Sequence, residues 1–529
     1  MSTPVNCDPG LYLGPTIGEL YVRVLRSNPP DAIALWDDDE ELTYGAFAER
    51  VARFAAAMRA AGLKRGDAMA QLSGNRVDAV CAMAAGFLLG LRYTALNPLS
   101  TSADHAFILQ DAQIDALVVD ETRFANAVPE LRHALPAGGR IFSYRDPSLG
   151  IALHDGVRPT AADPLTCDAR PEDIAQISYT GGTTGRPKGV VHRHRSVVTT
   201  VMVTLGEWEW RDPVRFLAVT PISHASRAFV LPLLLRGGSL GLTSKFAPEE
   251  FATLVERRAV TATLMVPTMI YVLLDSGEEV IATLRKRLDT LFYGSAPISP
   301  HRLREALERF GPILTQLYGQ TEAPMAVSTL FKRDHDLNRI DRLSSCGVAL
   351  SGSQVALLDE SGRPVPVGEV GEICVRGPLV MEGYWNRPEE TAAAFQYDWL
   401  HSGDMARRDA GGFLTLVDRK KDMLISGGFN VYPREVEDVI AAHPAVAQCC
   451  VVGSPHPKWG EAVTAVVVLR TGASTTAEEI SAWVKAAKGS TMAPKIVEFI
   501  PAMPLTTVGK VDRKAVRARF WKADCRQIQ

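Results

Sequence analysis

The sequence predicts an α/β protein: a large N-terminal domain of doubly wound sheets with a small β subdomain, then a small α+β C-terminal domain. Three observations predict it. The chain has 529 residues, more than one hydrophobic core organises, so two or more domains are expected. Short apolar runs alternate with segments of helical periodicity over most of its length, the pattern of parallel βαβ units. From Gly347 that alternation yields to short strands between turns, and beyond Arg419 helices return. The divisions are 1–419, with a β-rich part at about 347–419, and 420–529.

In order, residues 44–61 place Phe47, Val51, Phe54 and Met58 at helical spacing, and Gly62 stops the helix. Strands are expected at 68–72, from 93, and at 116–119. Helices are expected at 78–91, 103–112 and 124–135. Residues 147–171, rich in Pro, Asp and Ala, read as a surface connection. A strand at 174–179 leads into a Gly-rich loop. Then come a helix at 196–205, a strand at 216–219, an apolar stretch at 229–235, a helix at 251–257 and a strand at 262–266. Strands at 290–293 and 313–317 flank a helix at 301–310 and end in polar, small-residue loops. In open α/β sheets ligands sit beyond the carboxyl ends of strands. Short strands follow at 354–358, 372–376 and 413–417. The last unit has helices at 433–442 and 476–487 and strands at 447–452, 462–469 and 496–500, enough for a domain of about 100 residues.

A formal net charge of −3 gives no reason to expect nucleic acid or an anionic membrane as a partner. Residues 1–10 show no secretory signal. The longest apolar run, 79–91, is too short to span a bilayer, so no integral membrane association is expected. The eight cysteines form no CxxC pair and read as reduced thiols in a cytoplasmic protein. Cys449 and Cys450 should point to opposite faces of a strand. His192 and His194 lack further ligand-type neighbours and read as part of a solvated basic loop. A homodimer is compatible with the composition.

The chemistry concentrates in Tyr179-Thr180-Gly181-Gly182-Thr183-Thr184-Gly185-Arg186-Pro187-Lys188-Gly189. Glycines let backbone amides approach an anion closely. Three threonines add hydroxyl donors, and Lys188 adds a mobile positive charge. This suits a triphosphate, without the spacing of a P-loop. Alone the stretch could equally be a connector. Three others accompany it: Tyr318-Gly319-Gln320-Thr321-Glu322; His401-Ser402-Gly403-Asp404 with Asp418-Arg419-Lys420-Lys421-Asp422; and Pro504-Leu505-Thr506-Thr507-Val508-Gly509-Lys510.

Jointly and in this order, from Leu42 to Val516, they resemble the adenylate-forming superfamily, in its acyl-CoA synthetase branch. The resemblance implies that a carboxylate and ATP·Mg²⁺ give an acyl-adenylate and pyrophosphate, and that coenzyme A then takes the acyl group. Thr180 to Lys188 would close over the β- and γ-phosphates. Tyr318 and Gly319 would lie along the adenine, with Gln316, Gly294, Ser295, Ala296 and Pro297 near its edge, and Thr321 would border the nucleotide. Glu322 and Thr180 would hold Mg²⁺. Asp404 would accept the ribose hydroxyls and Arg419 would donate to them. Lys510 would bridge the substrate carboxylate and the attacked phosphate on a mobile C-terminal domain. Gly427, Gly428, Phe429 and Trp459 would form the thiol tunnel, and Lys421 the hinge; Trp459 could equally be core.

His224 matches the superfamily position that borders the carboxylate and gates thiol entry. Ala225 and Ser226 are small and should leave the pocket open. Val266, Pro267, Thr268, Pro324 and Met325 would supply mostly apolar walls, suiting an aromatic, alicyclic or medium-chain acid. Arg227 is either a structural ion pair at the back of the pocket or a partner for a polar group of the substrate. Three alternatives to a CoA ligase are a ligase loading a carrier protein, a luciferase-type oxygenase and a non-catalytic nucleotide sensor. The small-molecule partners implied are the acid, ATP and CoA.

Overall fold

The computed structural model describes residues 14–157, 165–180, 187–420, 422–426, 429–457, 459–506 and 509–521. Two large sheets form the N-terminal part. The first is eight-stranded among the described residues. Its centre is the parallel set Ile174–Thr180, Arg92–Leu96, Ala68–Leu72, Ala116–Val119 and Arg140–Ser143. The second is nine-stranded and runs through Leu314–Tyr318, Thr290–Gly294, Ala262–Met265, Arg215–Ala218 and Ser239–Leu242, also parallel. Strands covered on both faces are mostly apolar. Ala68–Leu72, Thr290–Gly294 and Leu314–Tyr318 are buried at every residue.

Helix Val77–Leu88 is buried along its whole length, as a helix apolar all round requires; its one carboxylate, Asp78, is paired with Arg50 and His154. Phe54, Phe87, Phe216, Phe229 and Phe292 belong to the same core cluster, which joins the two sheets. Phe229 stacks on Phe216 with centroids 4.8 Å apart. The β-rich part pairs Gln354–Leu358, Val370–Arg376, Trp399–Arg408 and Leu414–Arg419 antiparallel. The last sheet holds Leu424–Ser426, Phe429–Val431, Val446–His456, Gly460–Leu469 and Ile496–Phe499. Cys449 packs against one apolar cluster there and Cys450 is buried in another, so the pair does face opposite ways.

Three local expectations are corrected, and one apolar stretch that was given no element acquires one. Residues 124–135 are not one helix: Glu121–Phe124, a 3₁₀ turn Ala125–Ala127 and Val128–Ala134 succeed each other. Pro129 has no N–H to donate into a preceding turn, so it sits in the first turn of a new helix. The 229–235 stretch is the helix Arg227–Leu235. The 147–171 connection contributes an edge strand, Ile151–Ala152; residues 158–164 lie outside the described set. Finally, His192 and His194 are not solvated. His192 lies in strand Lys188–Arg193, His194 opens helix His194–Glu207, and both are buried.

Candidate functional site

The site forms where the carboxyl ends of both parallel sets meet the β-rich part and the last domain. Asp404 is buried and accepts from three donors: Tyr318 Oη at 2.8 Å, Gln320 Nε2 at 2.6 Å and Arg419 Nε at 3.1 Å. Asp404 and Arg419 are cross-strand partners, so their meeting follows from sheet register. Gln320 also donates to the Ser402 carbonyl at 2.8 Å. A cavity of about 280 Å³ opens beside them, lined by Ser402, Gly403, Arg419 and Lys420. Gln316 is buried and accepts from Tyr293 Oη at 3.1 Å. Gly294 is close to obligatory: a Cβ there would lie 2.3 Å from the Leu317 carbonyl oxygen. Ser295 follows at φ 65°, a left-handed conformation that non-glycine residues rarely hold. Ser295, Ala296 and Pro297 keep accessible surface.

Thr180 pairs with Lys188 across an antiparallel hairpin. Gly181, Gly182, Thr183, Thr184 and Gly185 lie outside the described residues. Lys188 forms an ion pair with Glu390 and lies 5.4 Å from the Tyr384 ring centroid. Tyr384 Oη donates to Glu322 Oε1 at 2.9 Å. Glu322, Tyr384 and Lys188 thus stand side by side where the phosphates are expected. No cluster of three metal-ligand side chains occurs among the described residues. A single carboxylate suits Mg²⁺, which keeps its waters and takes phosphate oxygens rather than a protein cage. His192 Nε2 donates to the Thr321 carbonyl at 2.7 Å and anchors the loop that carries Glu322. Burial pushes its imidazolium down to about 4, so the ring is neutral and keeps that hydrogen bond.

Lys510 reaches the same place from the last domain. Thr268 Oγ1 donates to the Gly509 carbonyl at 2.9 Å, docking the Lys510 turn on the N-terminal domain. Burial pushes the Lys510 ammonium down to about 8, and Arg419 adds to this while Asp404 opposes it. His224 is open to the cleft, yet protein mass surrounds most of it. That burial, with Arg227 and Lys510 nearby, brings its imidazolium down to about 4. Ala225, Val266, Pro324 and Met325 keep partial exposure, as pocket walls should, and Met325 sits at φ 47°.

Two expectations about the pocket are corrected. Ser226 is no wall: it is fully buried, and its hydroxyl lies 2.5 Å from Thr220 Oγ1. Arg227 is no structural ion pair: among the described residues its polar partners are neutral hydroxyls, Ser178 Oγ at 3.2 Å and that of Tyr93. Of the tunnel and hinge residues, Lys421, Gly427 and Gly428 lie outside the described set. Phe429 is exposed, and the Trp459 ring meets Lys495 Nζ at 5.4 Å. Gln320, Tyr384, Glu390 and His192 were given no role from the sequence. Gln320 sits inside a recognised motif, and its amide beside a carboxylate was the available signal. Tyr384 and Glu390 lie some sixty residues beyond Glu322, and only the fold brings them to it.

The fold brings a lysine of the last domain close to Asp404 and Arg419 at the carboxyl ends of the parallel strands. Comparison with known proteins makes the family explicit. Residues 23–385 match the AMP-binding enzyme family, and residues 435–510 match the AMP-binding enzyme C-terminal domain. Medium/long-chain-fatty-acid–CoA ligase FadD8 of Mycobacterium tuberculosis is 45% identical, over 99% of this chain and 93% of its own. Feruloyl-CoA synthase of an Amycolatopsis species is 36% identical, over 95% of this chain and 99% of its own. The solved amide bond synthetase McbA from Marinactinospora thermotolerans superposes with a TM-score of 0.89 at 31% identity, covering 95% of this chain and 99% of that one. The chain belongs to the AMP-binding enzyme family, in its acyl-CoA synthetase branch.

Proposed function

We propose that this protein is an ATP-dependent carboxylic acid–CoA ligase. In the first step a carboxylate oxygen of the acid attacks the α-phosphorus of ATP, and pyrophosphate leaves. In the second the CoA sulfur attacks the acyl carbonyl, and AMP leaves. The observation that carries the reading is Lys510, held within charge range of Asp404 and Arg419 on one side and His224 on the other. A cation there offsets charge as two anions are brought together. Asp404 and Arg419 hold the ribose, Tyr318 lies against the adenine, and Thr180 with Lys188 engages the phosphates. Glu322 would hold Mg²⁺, which supplies charge neutralisation at the phosphate oxygens. Neutral His224 borders the reacting carboxylate without adding a positive charge to Lys510.

CoA rather than a carrier protein is the acceptor, because both relatives above are CoA enzymes. Their names span a fatty and an aromatic acid, so they leave the acid open. The reading implies a cytoplasmic enzyme; no helix among the described residues is long and apolar enough to cross a membrane. Acid-dependent ATP–pyrophosphate exchange, then CoA-dependent AMP release over a panel of acids, tests the assignment. Lys510→Ala should lower the exchange by at least about a hundredfold and leave thioester formation from supplied acyl-adenylate nearly unchanged. Equal loss of both half-reactions would remove Lys510 from the first step.

A further inference from the structure

We infer that Arg227 reads an acceptor oxygen on the acyl part of the substrate, so that the enzyme prefers acids carrying a carbonyl, hydroxyl or second carboxylate. The inference rests on the ligase reading and narrows its substrate class. Arg227 opens helix Arg227–Leu235, and its backbone N–H donates to the His224 carbonyl at 3.1 Å. Its side chain turns toward the first sheet. There Nη2 donates to Ser178 Oγ at 3.2 Å, and the guanidinium lies 5.4 Å from the Tyr93 ring centroid. Ser178 and Tyr93 lie on neighbouring strands. The Tyr93 hydroxyl donates to Gln71 Oε1 at 2.8 Å and its oxygen accepts from Arg227, a neutral partner that leaves the guanidinium charge unpaired.

A guanidinium has five donors and is always charged. Removed from water it needs paired acceptors, and a carboxylate is the usual one. Among the described residues no carboxylate stands at ion-pair distance. Arg227 is only partly buried and retains accessible surface. The charges are also ordered. Lys510 senses Arg419 and Asp404; His224 senses both Lys510 and Arg227; Arg227 meets Tyr93 and Ser178. Arg227 follows His224 by one turn and is tied to its carbonyl through the backbone, so it stands beside the loop expected to border the acyl part. Walls such as Val266 and Pro324 offer nothing to an oxygen there; Arg227 does.

The test compares kcat/KM for acids matched in length: decanoate against 9-oxodecanoate, 10-hydroxydecanoate and decanedioate, and cinnamate against 4-hydroxycinnamate. The wild type should favour at least one oxygen-bearing acid over its apolar counterpart by roughly ten- to a hundredfold. The keto, hydroxy and dicarboxylate arms separate a neutral acceptor from an anionic one. Arg227→Leu and Arg227→Gln should abolish that preference, and ATP binding and thermal melting report whether each variant is folded. If neither variant folds, the wild-type ranking decides alone. A wild-type preference for apolar acids, or an unchanged ranking in a folded variant, overturns the inference. Equal loss with every acid assigns Arg227 to the reacting carboxylate and overturns it too. AMP release with no acid at all would overturn the ligase reading as well, and so is told apart from the rest.

Discussion

Lys510 is cationic below about pH 8 and loses its proton above it, well before an ordinary lysine would. If its charge drives the first step, kcat/KM for adenylation should fall about tenfold per pH unit on the alkaline side of that value. Thioester formation from supplied acyl-adenylate should show no such limb. A flat adenylation profile to pH 9.5, recorded as ATP–pyrophosphate exchange, would count against the role. Asp404 offers a graded comparison, since it accepts from Tyr318, Gln320 and Arg419. Tyr318→Phe removes one neutral donor and should raise KM for ATP about fivefold. Asp404→Ala leaves three donors, the buried Tyr318 among them, without their shared acceptor and should cost about a hundredfold in kcat/KM. If the two variants cost the same, Asp404 is not the organising acceptor. At this scale the sequence was legible where a residue stands inside a motif, as Asp404, Lys510 and Glu322 do. It was silent where partners come from distant strands, as with Tyr384 beneath Glu322. It misled at His192, whose polar type suggested a basic loop while its neighbours Val190 and Val191 are strand core.

Among the elements, the turn Tyr318 to Met325 carries Tyr318, Gln320 and Glu322 of the proposed nucleotide site, and its shape depends on Gly319. A Cβ there would lie 2.3 Å from the Met325 amide nitrogen and 2.7 Å from the Ala323 carbonyl oxygen. Both are backbone atoms, so neither can swing away. Gly319→Ala should therefore spread the turn, cost on the order of 2 kcal/mol of stability and shift Tyr318 and Glu322 together. Melting temperature and exchange activity measured side by side check this: full activity with an unchanged melting point would mean the turn relaxes freely. The sequence showed the strands entering this region because buried parallel strands are short apolar runs bounded by turn residues. It did not show strand Ile33–Trp36, which pairs parallel with Ser239–Leu242 about two hundred residues away. Nor did it show Trp399–Arg408, whose polar residues conceal a strand. Pairing at such distance is set by tertiary packing, which local periodicity does not encode.

For the whole molecule, the arrangement described is the one with Lys510 inside. Gly509 is tied to Thr268, and among the described residues three ion pairs link the domains, Arg407 to Glu435 at 3.2 Å, Lys420 to Glu372 at 3.6 Å and Arg470 to Glu305 at 3.9 Å. In this arrangement Phe429 and Ile425, beside the expected thiol tunnel, are 63% and 55% exposed. They face solvent rather than acyl carbonyl. Lys510 and the tunnel strands belong to one domain, and both are needed at one small centre, in succession. We therefore propose that the domain after Arg419 turns as a body between the two steps, with a hinge at Lys421 absorbing the backbone change. Proline at 421 would fix φ near −65° and remove an N–H. Lys421→Pro should keep ATP–pyrophosphate exchange within about threefold of wild type, since the lysine-in arrangement is already formed, and slow thioester formation by a hundredfold or more. The ion pairs are partly exposed and weak, so Glu305→Ala should change neither half-reaction by more than about threefold. Comparable slowing of both half-reactions in folded Lys421→Pro would place the hinge elsewhere or remove the rotation. A selective loss of the second would tie the thiol step to that turn.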